Sequence, residues 1–425
     1  MSQIKRDIKS LLKSSIIVKP LEVIKGFFVL KFLTPEMYGL LNIINQISSF
    51  AKYGDLGFIS VVEREYNYEV VKDKNKAEYI KNIAYSSELL LAVCLSVLVF
   101  LVSFFYIDSM IIFIGIISAS LMLFISKINR LYSTHLRINK EFNRFAKYNT
   151  LNGILISLSI ISTVSFIGIY APLIVGTIAG CIVAYIMYKK INLNFTFLLE
   201  KEEVLRQLKV GVTLGGLTFV YGLGIYLERF IIVKDFGLEG VGFFAFGMFI
   251  VMFFQYFMYD FVRPYMPTTK EALANNNKEI LKQNVAYPTV KLVVFVIPFI
   301  YLLQFIIPYL ITNFFEQYVG ALEIFRLLSF LLMAISISTF SGYLLYSQGI
   351  NKTYHAYISH FIYIFIILLC LIVKFESLEE LVYLFVIGTF LKSFYQTYFV
   401  LNEVYNGFYL SLVLGLILGG ILWLI

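Results

Sequence analysis

Eight basic and six acidic side chains interrupt long apolar runs of this 425-residue chain: Lys19, Lys25, Lys31, Lys52, Arg229, Lys291, Arg326 and Lys392, against Glu22, Asp55, Glu88, Glu228, Asp260 and Glu323. A charge on the lipid-facing side of a helix costs roughly 2.5–3.5 kcal/mol by insertion scales, so such groups face a partner or a hydrated path. Spacing puts several on shared faces. Ser15, Lys19, Glu22 and Gly26 fall at steps of four, three and four, which is one side of a helix. Asn42, Asn45, Ser49, Lys52 and Asp55 form a longer polar stripe, and Glu323, Arg326, Ser329 and Ser336 another, with Thr389, Lys392 and Gln396 a fourth. Stripes of this kind can hold a charged solute in water or pass a proton along acidic positions. Pairs at i, i+3, such as Lys19–Glu22, Lys52–Asp55 and Glu323–Arg326, can also be structural ion pairs within one helix. The candidates for solute contact are Lys19, Lys25, Asn45, Lys52, Arg229, Arg326 and Lys392. The candidates for charge balance or coupling are the carboxylates Glu22, Asp55, Glu228, Asp260 and Glu323.

The elements that carry these residues are set by composition. Apolar residues make up 59%, charged residues 15%, and mean hydropathy is +0.81, with 42 Phe and 31 Tyr. A water-soluble fold cannot cover that much apolar surface, which excludes a cytosolic enzyme, a disulfide scaffold and a disordered chain. Runs near the 20-residue length of a membrane-spanning helix occupy 11–33, 38–62, 83–106, 109–130, 148–169, 171–188, 210–233, 240–262, 287–310, 320–347, 354–373, 380–401 and 407–425. Their continuous apolar character does not fit the alternating strands of an outer-membrane barrel. The sequence predicts an all-α integral membrane protein of 12–13 transmembrane helices.

Lysine and arginine crowd alternate connections. Lys5, Arg6, Lys9 and Lys13 precede the first span, and Lys72, Lys74, Lys76 and Lys81 lie near the second connection on that side. Lys127, Arg130, Arg137 and Lys140 follow the fourth span, and Lys189, Lys190, Lys201 and Arg206 the sixth, whereas the opposite connections hold only Lys234 and Lys374. This bias predicts a cytoplasmic amino terminus. The first span is broken by Lys19, Glu22 and Lys25 and lacks a small-residue cleavage site, so it reads as a retained helix.

The halves repeat. Leu33-Thr34-Pro35-Glu36-Met37-Tyr38-Gly39 corresponds to Phe236-Gly237-Leu238-Glu239-Gly240-Val241-Gly242, Glu22 to Glu228, Asp55 to Asp260, and Ile138-Asn139-Lys140 to Ile350-Asn351-Lys352, at a nearly constant offset. Six spans per half is an even number, so the repeat is parallel, as in some secondary transporters. Residues 1–190 and 210–402 are expected as two six-helix lobes, 191–209 as a cytoplasmic linker with breakers Asn192 and Asn194, and 403–425 as an additional helix. Cys94, Cys181 and Cys370 sit in apolar runs and read as small buried hydrophobes. His135 and His355, in connections, and His360, at a span start, have no metal-ligand spacing, so neither a metal nor another cofactor is expected. Gly211, Gly215, Gly216, Gly222 and Gly224 read as close-packing points, and Pro20, Pro298 and Pro308 as kinks.

The opening span leading into Leu33–Gly39, then Tyr53-Gly54-Asp55-Leu56-Gly57, Leu136-Arg137-Ile138-Asn139-Lys140-Glu141-Phe142 and Glu228-Arg229-Phe230-Ile231-Ile232, resembles the polysaccharide-biosynthesis flippases of O-antigen and capsule pathways. These belong to the multidrug/oligosaccharidyl-lipid/polysaccharide (MOP) exporter superfamily. The resemblance, over about residues 1–400, implies two six-helix bundles forming a V around a cationic cavity lined by helices 1, 2, 7 and 8. It implies a non-enzymatic flippase of the bacterial inner membrane that carries undecaprenyl-diphosphate-linked oligosaccharide between leaflets, with a polysaccharide polymerase and chain-length regulator as possible partners. Lys25, Lys52 and Arg229 would then serve the diphosphate, and Tyr and Phe the sugars. Two alternatives stay open: a drug or cation antiporter of the same superfamily, disfavoured by eight basic against six acidic residues, and a membrane polymerase or acyltransferase, which would be expected to carry a large outer loop or catalytic cluster.

Overall fold

The computed structural model describes residues 3–53, 56–262, 277–347 and 353–404, with isolated positions between 263 and 276. Every regular element among them is helical. The first is α1 (Gln3–Phe32), followed by α2 (Pro35–Tyr53), α3 (Phe58–Lys72), α4 (Lys74–Ser103), α5 (Met110–Ile138), α6 (Phe142–Ile167) and α7 (Gly176–Lys190). Then come α8 (Lys201–Val262), α9 (Lys278–Phe314), α10 (Leu322–Ser329), α11 (Leu331–Ser347), α12 (Thr353–Cys370) and α13 (Leu378–Val404).

Seven helical stretches among the described residues are long and apolar enough to cross a membrane, and Tyr354–Cys370 is a shorter apolar one. Large side chains cover their outer faces: Phe105 and Phe166 are each 84% exposed. Water would penalise such surfaces heavily, whereas lipid tails match them. The protein is a multi-pass membrane protein built of helical bundles.

Local chemistry explains the boundaries. Asp73 ends α3 and caps α4, its Oδ1 accepting from the backbone N–H of Asn75 at 2.9 Å and of Lys76 at 3.2 Å. The span expected over 38–62 is broken at Gly57, whose φ of +82° suits glycine and after which α3 begins. Within α8 the break falls at Gly237 (φ 69°, ψ −168°), inside the turn read at 236–242. Nothing lies within 4 Å of a Cβ placed there, so the backbone conformation rather than crowding calls for glycine. Pro20 lies inside α1, and Pro298 and Pro308 inside α9.

The chain divides into two compact units, Met1–Gly222 and Leu223–Ile425. In the first, α1 packs on α6, α4 on α5, α2 on α5, and α7 on both α5 and α6. In the second, α9 packs on α11, α11 on α13 and α12 on α13. Matched by order along the chain, these three pairings correspond to α4 on α5, α5 on α7 and α6 on α7 in the first unit.

The non-helical segment 191–200 is laced to α4. Lys81 Nζ donates to the Asn194 carbonyl at 3.2 Å, the Thr196 N–H to Asn82 Oδ1 at 3.3 Å, and the Leu198 N–H to Ser86 Oγ at 2.9 Å. Phe195 meets Tyr85 edge-on, and Gln207 in the first turns of α8 donates to the Ile80 carbonyl at 3.1 Å. Residues 191–222 therefore belong with the first unit.

Helix ends depart from the sequence reading where basic residues continue a helix. Lys127, Arg130, His135 and Arg137, expected in a connection, all lie in α5, because Lys and Arg are good helix formers. His355 lies inside α12 rather than before it and is buried. Cys370 is buried as expected, but Cys94 and Cys181 are exposed on their helices, where lipid accepts a small apolar thiol. The expected thirteenth span at 403–425 lies outside the described residues apart from its first two positions.

Candidate functional site

Glu228 and Arg229 occupy the apolar Gly215–Tyr256 stretch of α8 and are 6% and 7% exposed. Arg229 Nη1 donates to Glu228 Oε2 at 2.9 Å. The hydroxyl of Tyr363, on α12, donates to the other oxygen, Glu228 Oε1. The Arg229 guanidinium lies over the Phe244 ring, 4.4 Å from its centroid, and Phe244 meets Phe385 of α13 edge-on at 6.0 Å. Lys392, on α13, places its ammonium 5.9 Å from the centroid of Tyr363 and within electrostatic reach of Glu228.

Glycines admit the Tyr363 ring. A Cβ at Gly388 would lie 3.0 Å from Tyr363 Cδ2, and one at Gly224 would lie 3.4 Å from Cδ1. The ring is thus gripped between α8 and α13. Two basic groups thus flank one carboxylate, and burial strengthens the electrostatic interactions among them. The nearby His360 turns Nδ1 to the Ala356 carbonyl at 3.0 Å on its own helix.

Of the twelve candidates read from sequence, the fold brings Glu228, Arg229 and Lys392 together. Lys19, Glu22 and Lys25 follow one another along α1, with Lys19 and Lys25 half-buried, Glu22 exposed and Glu22 the charge acting on Lys25. Asn45 is exposed on α2. Glu323 and Arg326 form the expected i, i+3 ion pair on α10, at 2.6 Å, with side chains 60% and 51% exposed. Asp55 lies outside the described residues, as do the side chains of Lys52 and Asp260.

Tyr363 was missed because a tyrosine in an aromatic-rich span carries no spacing signal. A second omission lies in the first unit. Lys127 Nζ, on α5, meets Glu88 Oε1, on α4, at 2.8 Å, and the two side chains are 1% and 0% exposed. Glu88 is visible in sequence as an intramembrane acid, but which helix supplies its partner is a property of packing.

A charged collar surrounds α3. Arg137 of α5 pairs with Glu63, Lys76 of α4 with Glu69 at 3.1 Å, and Arg206 of α8 with Glu65 and Glu203 at 2.8 and 2.7 Å. Tyr66 donates to Glu78 at 2.7 Å, and burial together with that bond pushes its phenol well up. Burial alone would raise Glu203, but hydrogen bonds from Arg206 and Gln207 outweigh it and hold the carboxyl below the usual range. Gly57 and Gly211 touch within this collar: a Cβ on Gly57 would fall 2.1 Å from the Gly211 carbonyl oxygen.

Residues 28–322 match the family model described as polysaccharide biosynthesis protein. A sequence comparison with curated proteins finds no match. Among solved structures, an inward-facing multidrug resistance MATE family transporter of the MOP superfamily is similar with a TM-score of 0.72 at 15% identity, covering 94% of this chain and 98% of that one. An outward-facing one gives 0.59 at 16% identity, covering 94% and 96%. A MOP superfamily transporter from Pyrococcus furiosus, described by a reversed polarity of its binding pocket that suggests a different function, gives 0.61 at 14% identity, covering 94% and 96%. The chain shares the fold of these MOP superfamily transporters, and by the match over residues 28–322 it belongs to the polysaccharide biosynthesis protein family.

Proposed function

We propose that this transporter flips undecaprenyl-diphosphate-linked oligosaccharide from the cytoplasmic to the periplasmic leaflet of a bacterial inner membrane by alternating access, its two repeats acting as lobes. The cargo joins a polar dianionic head to a greasy tail and needs a wet basic groove open to lipid. The observation that carries the reading is the excess of positive charge inside the apolar helices of a polysaccharide biosynthesis protein: Arg229 and Lys392 around the single carboxylate Glu228. Lys19, Lys25, Asn45, Lys52 and Arg326 are proposed as further cavity positions, and Glu22, Asp55, Asp260 and Glu323 as charge-balancing ones. Export of cationic drugs, suggested by the multidrug transporters of similar fold, suits this polarity less well.

Each charge-assisted bond to a phosphate is worth about 1.5–3 kcal/mol. Arg229→Ala and Lys392→Ala should therefore sharply reduce surface polysaccharide in a complemented deletion strain at unchanged protein abundance, while Arg229→Lys keeps partial export because charge matters more than fork geometry. Normal export by both alanine variants would refute the reading. Cationic dye extrusion by the wild type would favour the drug exporter. The proposed orientation places reporter fusions after Lys140 and Lys201 in the cytoplasm and those at Asp108 and Glu316 in the periplasm.

A further inference from the structure

We propose that Tyr363 is a positioning residue that keeps Arg229 available to an anionic ligand by satisfying Glu228 with a neutral donor; this rests on the anion-binding reading above. Glu228 is buried beside Arg229 and has two oxygens to satisfy. Oε2 accepts from Arg229 Nη1, and Oε1 accepts from the Tyr363 hydroxyl. The pairing of carboxylate and guanidinium is therefore single rather than forked. Arg229 Nε is buried and has no hydrogen-bond partner among the described residues. A buried, unspent guanidinium N–H is costly unless a ligand comes to it.

Two features hold this arrangement. Phe244 fixes the plane of the guanidinium from below, and the glycine faces at Gly224 and Gly388 fix the tyrosine ring, which cannot slide away from Glu228 without leaving its slot. Removing the hydroxyl leaves Oε1 as a buried carboxylate oxygen in need of a donor. Arg229 is already bonded to the other oxygen of this carboxylate, and a second bond from its remaining edge would make a forked ion pair that neutralises the base and withdraws it from a phosphate. The tyrosine thus does more than tie α12 to α8: it sets how much of Arg229 the carboxylate consumes.

The test is binding of farnesyl diphosphate to purified protein in nanodiscs by calorimetry, with farnesol as the uncharged control. Tyr363→Phe should bind the diphosphate about ten- to a hundredfold more weakly than wild type, the worth of one charge-assisted bond, with farnesol unchanged. Glu228→Gln, whose amide competes poorly for the guanidinium, should bind the diphosphate at least as tightly as wild type, and Tyr363→Phe/Glu228→Gln should recover to within a few-fold of it. A tyrosine that serves only packing predicts no such rescue. Wild-type affinity in Tyr363→Phe, weakened binding in Glu228→Gln, or a double variant as weak as Tyr363→Phe would each overturn the proposal. If wild type binds farnesyl diphosphate no better than farnesol, the anion-binding reading itself fails and takes this inference with it.

Discussion

Replacing Lys127 by Met removes one half of an ion pair whose members are 1% and 0% exposed. The loss takes from the buried Glu88 carboxylate the ammonium that lies 2.8 Å from its Oε1. Breaking a buried pair from one side costs about 3–5 kcal/mol, because an uncompensated charge remains in a poorly polarisable interior. That is roughly two to nearly four powers of ten in the ratio of folded to unfolded protein. Removing both charges is a different perturbation. Lys127→Met/Glu88→Leu substitutes apolar side chains of similar length, and such exchanges of buried pairs are neutral or stabilising by about 1–4 kcal/mol. The expected order of thermal stability is thus double variant at or above wild type, with Lys127→Met and Glu88→Leu far below. A temperature series of fluorescence-detected size-exclusion runs in detergent reads this order directly. Singles that melt with wild type would mean that the pair is hydrated. A double variant as weak as the singles would mean that shape, not charge, holds the two helices together.

Further outcomes follow from the collar around α3 and from the break at Gly237. Gly57→Ala and Gly211→Ala should both lower the abundance of folded protein, since the new methyl would sit 2.1 Å from the Gly211 carbonyl oxygen or 2.4 Å from that of Leu56; Gly237→Ala, with open space, should cost only the strain of its backbone, about 1–3 kcal/mol. Glu203, held below the usual carboxylate range, stabilises the fold fully above the ordinary glutamate value and progressively less as pH falls through its lowered one, so Glu203→Gln should flatten the acid side of the melting profile between pH 7 and 3.

The helices were legible because a bilayer demands length and continuous apolarity, and both are local properties of the chain. The turn at 236–242 was equally local. Charges were legible as costly residues, but their partners were not. Glu323 and Arg326 could be paired by counting along one helix, and the pair is present. Lys127 could not be matched with Glu88, because a separation of 39 positions along the chain says nothing of which helix faces return together. The helix end misled as well: a run of basic residues read as a connection continues α5 for several turns. Tyr363 became visible only when three helices converged on it, since its role depends on the small faces of Gly224 and Gly388 rather than on its own neighbours in sequence.

The buried pair of the first unit also bears on how the protein enters the bilayer. Glu88 and Lys127 lie on consecutive helices, α4 and α5, joined by the short stretch between Ser103 and Met110. Released singly from an insertion channel, each helix would carry one unmatched charge into lipid, at roughly 2.5–3.5 kcal/mol apiece. Leaving as a closed hairpin, they present a single neutral body with the charges facing inward. The chemistry favours retention of α4 at the channel until α5 has been synthesised, so that this part of the chain partitions in pairs of helices and its topology is decided two spans at a time.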